Sequence, residues 1–264
     1  MADLNLASFK SVFSELGLSR RPVIAHAALK AFGHIQGGAD TIVRALVECT
    51  GGVVMPTFTY KTMITPEVGP PHNAIKYGKD LDHNRLAEPF DSDNMPADPL
   101  MGMLPEALRH YPGARRTFHP ILSFTGIRAD SALDSQTLLN PLAPIGVLAD
   151  QDGWALLLGV DHTVNTSIHY AEKQAGRRQF VRWGMTRERI VECPGFPGDS
   201  QGFEALAPYI EKDTRRVQMG RAVIRAVPLK RLFDVVISLL RKDSLALLCD
   251  RPDCERCNAL REAA

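Results

Sequence analysis

The sequence predicts an α/β fold built on parallel strands, and two segments carry that prediction. Residues 22–29, 39–49 and 53–58 form an apolar run, an amphipathic stretch and a second apolar run, which is the order of a parallel strand–helix–strand crossover. A third apolar run, residues 154–160, is followed at Asn165 by the Asn-Thr-Ser signal of a helix start. With 264 residues, the whole chain is expected to form one large domain.

The other elements follow from hydrophobic periodicity in chain order. Apolar residues recur at helical spacing from Leu4 to Leu16, and Gly17 ends the pattern, so an amphipathic first helix is expected. The same reasoning predicts helices at residues 101–111, 203–210 and 229–240 and a short strand at residues 245–248.

Composition excludes several classes of protein. The 31 Lys and Arg residues against 30 Asp and Glu give a formal charge of +1, without the basic excess typical of nucleic-acid binding. The apolar runs are well short of the roughly 20 residues that span a bilayer, and the amino terminus has no signal-peptide pattern. Five cysteines are an odd number and do not indicate a secreted disulfide framework. We therefore expect a soluble cytoplasmic protein without membrane or nucleic-acid partners, and no feature indicates its oligomeric state.

Residues 61–105 are rich in Pro, Asp, Asn and Met and have little periodicity. Loops much longer than about 12–15 residues usually carry binding functions, so a functional insertion is expected here. Acidic residues accumulate within it, at Asp80, Asp82, Glu88, Asp91, Asp93 and Asp98. They form either a solvated acidic loop or, if placed over a pocket, a field that concentrates a polycationic ligand.

The most informative polar pair follows the apolar run at residues 154–160. His169 and Glu172 are three residues apart, so on a helix they share one face, at the strand end where α/β sheets collect ligands. A carboxylate can orient an imidazole as a general base; the alternative is a surface histidine beside a solvated carboxylate. A metal at this pair is not expected, because His162 lies on the preceding loop rather than one helical turn away.

Weaker signals lie elsewhere at predicted strand ends. Gly37 and Gly38 precede the first crossover helix, where free backbone amides could bind phosphate, with Lys30 and Arg116 adding charge. The dinucleotide and Walker fingerprints are absent, and two glycines equally suit a simple turn. His119, which precedes a proline, is either a turn histidine bonded to the backbone or a ligand contact.

Three sequence blocks, taken in order, are more specific together than any one alone. They are His26-Ala27-Ala28-Leu29 with Gly33, Gly37-Gly38-Ala39 and residues 53–58; Arg116-Thr117-Phe118-His119-Pro120 with Ser123-Phe124 and Gly126; and residues 156–160 with Asn165-Thr166-Ser167-Ile168-His169 and Glu172. In this order the blocks resemble the aminoglycoside 3-N-acetyltransferase family over most of the chain. The resemblance implies a three-layer α/β/α fold around a central mixed, largely parallel sheet, and an acetyl-CoA-dependent enzyme.

The resemblance also implies roles for particular residues. His169 matches the catalytic base and Glu172 its partner. The family usually has Ser-Ser where this chain has Ala27-Ala28. The two hydroxyl donors are therefore missing here, and backbone amides are left to make the contact with coenzyme A. The expected coenzyme A contacts are Ala27, Ala28, Leu29, Lys30, Gly33, Arg116 and Thr117. On the acceptor side, the expected contacts are Asp80, Asp82, Glu88 and Asp98.

The chemistry expected of such a site is direct acetyl transfer to an amine. A base takes the proton of the amine while the nitrogen attacks the thioester, and amides near Thr166 or its hydroxyl could stabilise the oxyanion. The expected acceptor is small, polar and cationic, with an aminoglycoside as the leading candidate. Two alternatives remain: acetylation of another amine or a hydroxamate metabolite, and a coenzyme-A-binding protein without turnover.

A cysteine pattern stands near the carboxyl terminus, outside these blocks. Cys249, Cys254 and Cys257 have the spacing Cys-x₄-Cys-x₂-Cys, and Cys193 is available as a fourth ligand. Such a set suits a structural zinc ion; the alternative is that the thiols are free. A zinc ion there would pin residues 249–257 to the segment around Cys193.

Overall fold

A computed structural model describes residues 4–78 and 81–263 of the chain. The strands, in chain order, are β1 (Pro22–Ala27), β2 (Gly52–Pro56), β3 (Met63–Ile64), β4 (Arg115–Arg116), β5 (Phe124–Ile127), β6 (Trp154–Leu158), β7 (Phe180–Met185), β8 (Ile190–Phe196), β9 (Arg215–Met219) and β10 (Ala222–Pro228). The helices are α1 (Leu6–Glu15), α2 (Gly38–Cys49), α3 (Met103–Arg109), α4 (Asp130–Asp134), α5 (Ala143–Asp150), α6 (Thr166–Gln174), α7 (Ala207–Ile210), α8 (Leu229–Lys242) and α9 (Glu255–Arg261).

The main sheet has seven strands in the order β4-β5-β2-β1-β6-β10-β9. Strand β1 is parallel to β2 and β6, and the other neighbouring pairs of described strands are antiparallel. The sheet is mixed, as predicted, but its parallel part is confined to these three central strands and does not extend through most of the sheet. Connection length explains two of the antiparallel pairs: Gly220 and Arg221 join β9 to β10, and residues 117–123 join β4 to β5, whereas a parallel crossover needs a dozen or more residues.

Helices cover both faces of this sheet, which confirms the expected three layers. Strand β1 alternates between the faces, with Val23 in the core beneath α1, α2 and α3 and Ile24 in the core beneath α5, α6 and α8. All five residues of β6 are buried, as expected for a strand covered on both sides. No helix within the described ranges is long and apolar enough to span a membrane.

A second, antiparallel sheet of β3, β7 and β8 holds part of the insertion predicted at residues 61–105. The Asn73 side chain donates to the Val181 carbonyl (2.9 Å) and accepts from the Val181 amide (2.8 Å). At Gly184 in β7, a Cβ would lie 2.8 Å from Pro120 Cγ, so glycine permits this sheet to approach the β4–β5 connection closely. The insertion is therefore anchored at one end to β7.

The prediction of a strand at residues 245–248 is wrong. Residues 244–247 form a turn, in which Leu247 has a φ of +67°. Arg177 donates to the carbonyls of Ser244 (2.6 Å) and Ala246 (2.7 Å). These two acceptors are engaged by a side chain, so the apolar run packs as a turn rather than as a strand.

The turn that leaves β6 requires a glycine. Gly159 has a φ of +69°, and a Cβ at this position would lie 2.7 Å from the Cβ of Ala31. Both the left-handed backbone and the close approach of the residues after β1 exclude a side chain. Gly159 thus brings the two loops that follow β1 and β6 together.

Candidate active site

A cavity of about 320 Å³ opens where the carboxyl ends of β1, β2 and β6 meet. Ala27 and Pro56 line it from the ends of their strands, and Val160 lines it from just beyond β6. Helix α6 contributes Thr166 and His169. The cavity therefore lies at the sheet edge where α/β folds bind ligands.

The position of His169 is fixed by the start of α6. The side chain of Asn165 accepts a hydrogen bond from the amide of Ser167 (3.1 Å) and so caps the helix. The side-chain nitrogen Nδ2 of Asn165 also lies 3.2 Å from Nδ1 of the buried His162. Because the helix begins at Thr166, His169 falls one turn later on the same face.

His169 belongs to a buried chain of three polar groups. Its Nδ1 lies 2.8 Å from Oε2 of Glu172, and Oε1 of Glu172 lies 2.5 Å from Nη1 of Arg177. A carboxylate paired with Arg177 accepts hydrogen bonds only, so Nδ1 of His169 carries the proton and donates it to this bond. Nε2 is then the ring nitrogen with a free lone pair. This tautomer is the one that a general base requires.

Two features surround this imidazole. The Phe203 ring contacts it edge to face, with centroids 4.7 Å apart. Glu172 is 1% exposed, so its charge acts on the imidazole and on Arg177 with little screening by water. Arg177 was not predicted as part of the site; its signal in the sequence is a cation just beyond the helix, five residues after Glu172.

His26 is a second histidine of the cavity and was not predicted as a site residue. It lies in β1, and burial lowers its pKa to about 3, so the imidazole is neutral. Its Nε2 is buried without a hydrogen-bond partner among the described residues, although the residue lines the cavity. The signal in the sequence is a polar residue within an apolar strand.

The expected coenzyme A residues separate into two places. Ala27 lines the cavity and Ala28 follows it, with an amide that donates to the Leu158 carbonyl (3.0 Å). Leu29 and Lys30 lie in a 3₁₀ turn, and the side chain of Lys30 is exposed. Gly33 is exposed beyond this turn with a φ of +80°.

Arg116 and Thr117 line a second cavity, of about 410 Å³, and not the one beside His169. Arg116 is buried and donates to Oγ of Ser123 (3.1 Å), the Met95 carbonyl (2.5 Å) and the Thr57 carbonyl (2.8 Å). Burial lowers its pKa to about 10. The guanidinium is engaged by protein acceptors, so it holds residues 92–95 against β2 and β5.

His119 also lines this second cavity. Its Nδ1 accepts hydrogen bonds from the amides of Ile121 (3.2 Å) and Leu122 (2.9 Å). Burial lowers its pKa to about 4. These bonds agree with the turn-histidine alternative.

Gly37 caps α2 with a φ of +78°, and the Thr41 hydroxyl donates to the Gln36 carbonyl (2.6 Å). Neither Gly37 nor Gly38 lines the cavity beside His169. The pair therefore serves the turn into α2.

Of the acidic residues predicted to bind the acceptor, the three that the structure describes, Asp82, Glu88 and Asp98, do not line the cavity. Asp82 pairs with Arg85 at 3.5 Å, and Glu88 pairs with Lys61. Asp98 accepts from the Leu100 amide (2.9 Å) and caps a 3₁₀ turn. Asp80 lies outside the described residues. The insertion instead contributes the lining residues Leu100, Met101 and Pro105.

The described cavity lining includes no carboxylate and one guanidinium. That guanidinium belongs to Arg256, which donates to the Gly198 carbonyl (3.0 Å) and to Oδ2 of Asp199 (3.3 Å). Gly198 and Arg256 both line the cavity. The cavity wall that contains Gly198 is thus joined to α9.

The three carboxyl-terminal cysteines converge, but Cys193 is not with them. The ligand atoms of Asp199, Cys249, Cys254 and Cys257 lie within 4.8 Å of one another. Cys193 donates to the Val191 carbonyl (3.7 Å) within β8, and burial raises its pKa to about 12. Asp199 therefore takes the fourth position of the cluster, which was predicted for Cys193. The loop after β8 returns to the carboxyl-terminal segment, whereas β8 itself stays in the second sheet.

The SPbeta prophage-derived aminoglycoside N(3')-acetyltransferase-like protein YokD of Bacillus subtilis is 28% identical over 178 residues, which cover 64% of this chain and 65% of that protein. The alignment thus spans less than two thirds of the relative's length.

Two solved structures share the fold. The aminoglycoside acetyltransferase AAC(3)-IVa apoenzyme superposes with a TM-score of 0.81 at 21% identity, covering 100% of this chain and 99% of that one. AAC-IIIb in a binary complex with CoASH gives 0.73 at 22% identity, covering 91% and 97%.

The family model for aminoglycoside 3-N-acetyltransferases matches residues 24–241. This range contains most of β1, the insertion, β6 and α6, and therefore the described cavity-lining residues other than Arg256, together with the buried chain of His169, Glu172 and Arg177. The chain belongs to the aminoglycoside 3-N-acetyltransferase family.

Proposed function

We propose that this protein transfers the acetyl group of acetyl-CoA to an amino group of a small polar acceptor, with a cationic, aminoglycoside-like amine as the leading candidate. The observation that carries the proposal is the imidazole of His169, which lines a cavity at the sheet edge and is braced by Glu172 at 2.8 Å. Family membership and the fold shared with a CoASH-bound relative support acetyl-CoA as the donor. Such a reaction belongs to the cytoplasm, where acetyl-CoA is made.

His169 acts as the general base in this proposal. As the amine nitrogen attacks the thioester carbonyl carbon, a C–N bond forms and Nε2 takes a proton from the nitrogen. The imidazolium that results is stabilised by the buried carboxylate of Glu172. When the C–S bond breaks, the electron pair leaves on sulfur and the imidazolium can return its proton to that thiolate. No covalent acetyl-enzyme is needed.

Thr166 is proposed to stabilise the oxyanion. It lines the cavity one helical turn before His169, and its hydroxyl is the proposed donor to the reacting carbonyl, because the next two amides of α6, those of Ser167 and Ile168, donate to Asn165. Loss of one such donor typically lowers the rate by about 10²–10³.

Coenzyme A is proposed to bind along residues 27–33. Ala27 lines the cavity, and the side chain of Lys30 is exposed, so that its ammonium group can contact a phosphate of coenzyme A. Because Arg116 and Thr117 line the second cavity, their proposed contribution is indirect, through the segment that Arg116 holds in place.

The lining of the cavity favours a second candidate acceptor, an amine or hydroxamate of lower positive charge than an aminoglycoside. The described lining has no carboxylate to attract a polycation, and Arg256 would repel one. An aminoglycoside would instead need acidic groups from outside the described cavity lining.

The test compares three proteins: wild type, His169→Ala, and Gln174→Ala as a control on the exposed face of the same helix. Acetyl transfer is followed by thiol release with a panel of aminoglycosides, less charged amines and hydroxamates, and coenzyme A binding by calorimetry. We expect His169→Ala to lower kcat by about 10²–10⁴ while coenzyme A still binds, and Gln174→Ala to match wild type. Full activity of His169→Ala would overturn the base assignment. A wild-type protein that binds coenzyme A but acetylates nothing in the panel would support the non-catalytic alternative.

A further inference from the structure

Three thiols and one carboxylate converge on a buried point outside the proposed active site. Cys249, Cys254, Cys257 and Asp199 have exposed fractions of 0–7%, and their ligand atoms lie within 4.8 Å of one another. The sulfurs of Cys249 and Cys257 are 3.5 Å apart. With Zn–S bonds of about 2.3 Å, a tetrahedral zinc ion holds two thiolates about 3.8 Å apart; a disulfide holds sulfurs at about 2.05 Å. We propose that these four residues bind one structural zinc ion.

The charges around the four ligands suit a divalent cation. Three thiolates and one carboxylate exceed the positive charge of zinc by two. Two guanidinium groups stand beside the carboxylate: Arg251 lies 3.1 Å and Arg256 3.3 Å from Oδ2 of Asp199. They balance the excess negative charge and form the outer hydrogen-bonding shell that orients a metal ligand.

Asp199 is oriented for this role by its own loop. Its Oδ1 accepts a hydrogen bond from the Gln201 amide (2.9 Å), which fixes the carboxylate plane. Each carboxylate oxygen has two lone pairs, so Asp199 can accept these bonds and still ligate a metal. Thiolates favour zinc over magnesium or calcium, and a set of four protein ligands with no open position is the arrangement of structural zinc sites.

The zinc site would fix one wall of the cavity beside His169. Asp199 lies within the segment of residues 197–201, of which Pro197, Gly198, Ser200 and Gln201 line that cavity. Arg256, two residues after Cys254, lines the cavity and donates to the Gly198 carbonyl. The zinc ion would therefore cross-link the cavity wall to the carboxyl-terminal segment. Since the family model ends at residue 241, three of the four ligands lie beyond the matched range.

The first test is metal content, which does not depend on turnover. Protein purified without chelators is analysed for metals by mass spectrometry, and we expect one zinc per chain. Cys254→Ser and Asp199→Ala should lower zinc affinity by about tenfold or more, whereas Cys193→Ala should keep the full content. Cys49→Ala is a second control, since this cysteine lies on α2, away from the cluster.

A second measurement keeps the proposal testable if a variant fails to fold. Cobalt(II) is exchanged into the wild-type protein, and its absorption spectrum is recorded. Tetrahedral d–d bands with a thiolate-to-cobalt charge-transfer band are expected, and the charge-transfer band should weaken in Cys254→Ser. A wild-type protein without zinc that also fails to bind cobalt, or zinc lost in Cys193→Ala but kept in Asp199→Ala, would overturn the proposal. So would a Cys249–Cys257 disulfide found by peptide mapping in protein purified under reducing conditions.

Discussion

Replacing Arg177 by methionine should destabilise the protein strongly, because it leaves a buried carboxylate without its cation. The side chains of Arg177 and Glu172 are 5% and 2% exposed and meet at 2.5 Å. The same guanidinium donates to the carbonyls of Ser244 and Ala246. Methionine preserves the length and most of the volume of the side chain, so the change removes mainly the charge and the three hydrogen bonds.

Breaking one side of a buried ion pair costs about 3–5 kcal/mol. For a chain of this size, each kcal/mol lowers Tm by about 2–4 °C, so Arg177→Met should lower Tm by roughly 6–20 °C. The double variant Glu172→Gln/Arg177→Met removes the uncompensated charge. It should therefore be more stable than Arg177→Met alone, with a coupling free energy of about 0.5–3 kcal/mol.

The assay is thermal and urea unfolding of wild type, both single variants and the double variant, followed by circular dichroism. Turnover of the folded single variants is measured in parallel, and Arg177→Met should also lose kcat because Glu172 no longer orients His169. Two results would refute the reasoning. One is a Tm for Arg177→Met within 2 °C of wild type, on the scale of about 2–4 °C per kcal/mol; the other is additivity of the two single substitutions in the double variant.

Three further predictions concern other parts of the molecule. Burial lowers the pKa of His26 to about 3 and of His119 to about 4 from 6.5, so the unfolded chain binds protons that the folded protein does not. The free energy of unfolding should then fall as pH drops below about 6.5, by up to about 2 kcal/mol per histidine at pH 5. Urea titrations at several pH values should show that this free energy falls less in His26→Leu than in wild type. An equal fall in both proteins would contradict the lowered pKa of His26. Gly159→Ala should cost about 1–3 kcal/mol by the same titration, and a neutral substitution would contradict the close contact with Ala31. Asp82→Asn and Glu88→Gln should change KM for an aminoglycoside by less than about fivefold, the equivalent of 1 kcal/mol, whereas a larger rise would mean that these carboxylates reach the bound acceptor.

The central part of the fold could be predicted because its elements have strong local patterns. The helix periodicity of α1 and α2 and the continuous apolar runs of β1, β2 and β6 arise from burial on one or both faces. The strands β7 to β10 were not predicted. Strands β7 and β8 pair in the second sheet, and β10 pairs with β9, which is the edge of the main sheet. Mostly exposed residues such as those of β9 give a weak alternation. At residues 245–248 a strand was predicted from an apolar run, but the run forms a turn in which Leu247 and Leu248 are buried.

The candidate site was predictable where its residues are local in sequence. The His169–Glu172 spacing gives a one-turn contact on any helix, and Nδ1 of His169 lies 2.8 Å from Oε2 of Glu172. The grouping of Asp199 with the cysteines depends on how the loop after β8 returns to α9, which no local pattern encodes. Arg116 illustrates the same limit: an arginine in a matching motif gives no sign of whether its guanidinium faces a ligand or the protein's own carbonyls.

The sheet order has a consequence for the chain as it is synthesised. Strand β6 pairs on one side with β1 and on the other with β10, which begins only at residue 222. Until the ribosome has passed that point, the nascent protein exposes an apolar strand edge able to pair with a neighbouring chain. The edge of β6 is therefore closed late in translation, and a pause between residues 158 and 222 is where aggregation would begin.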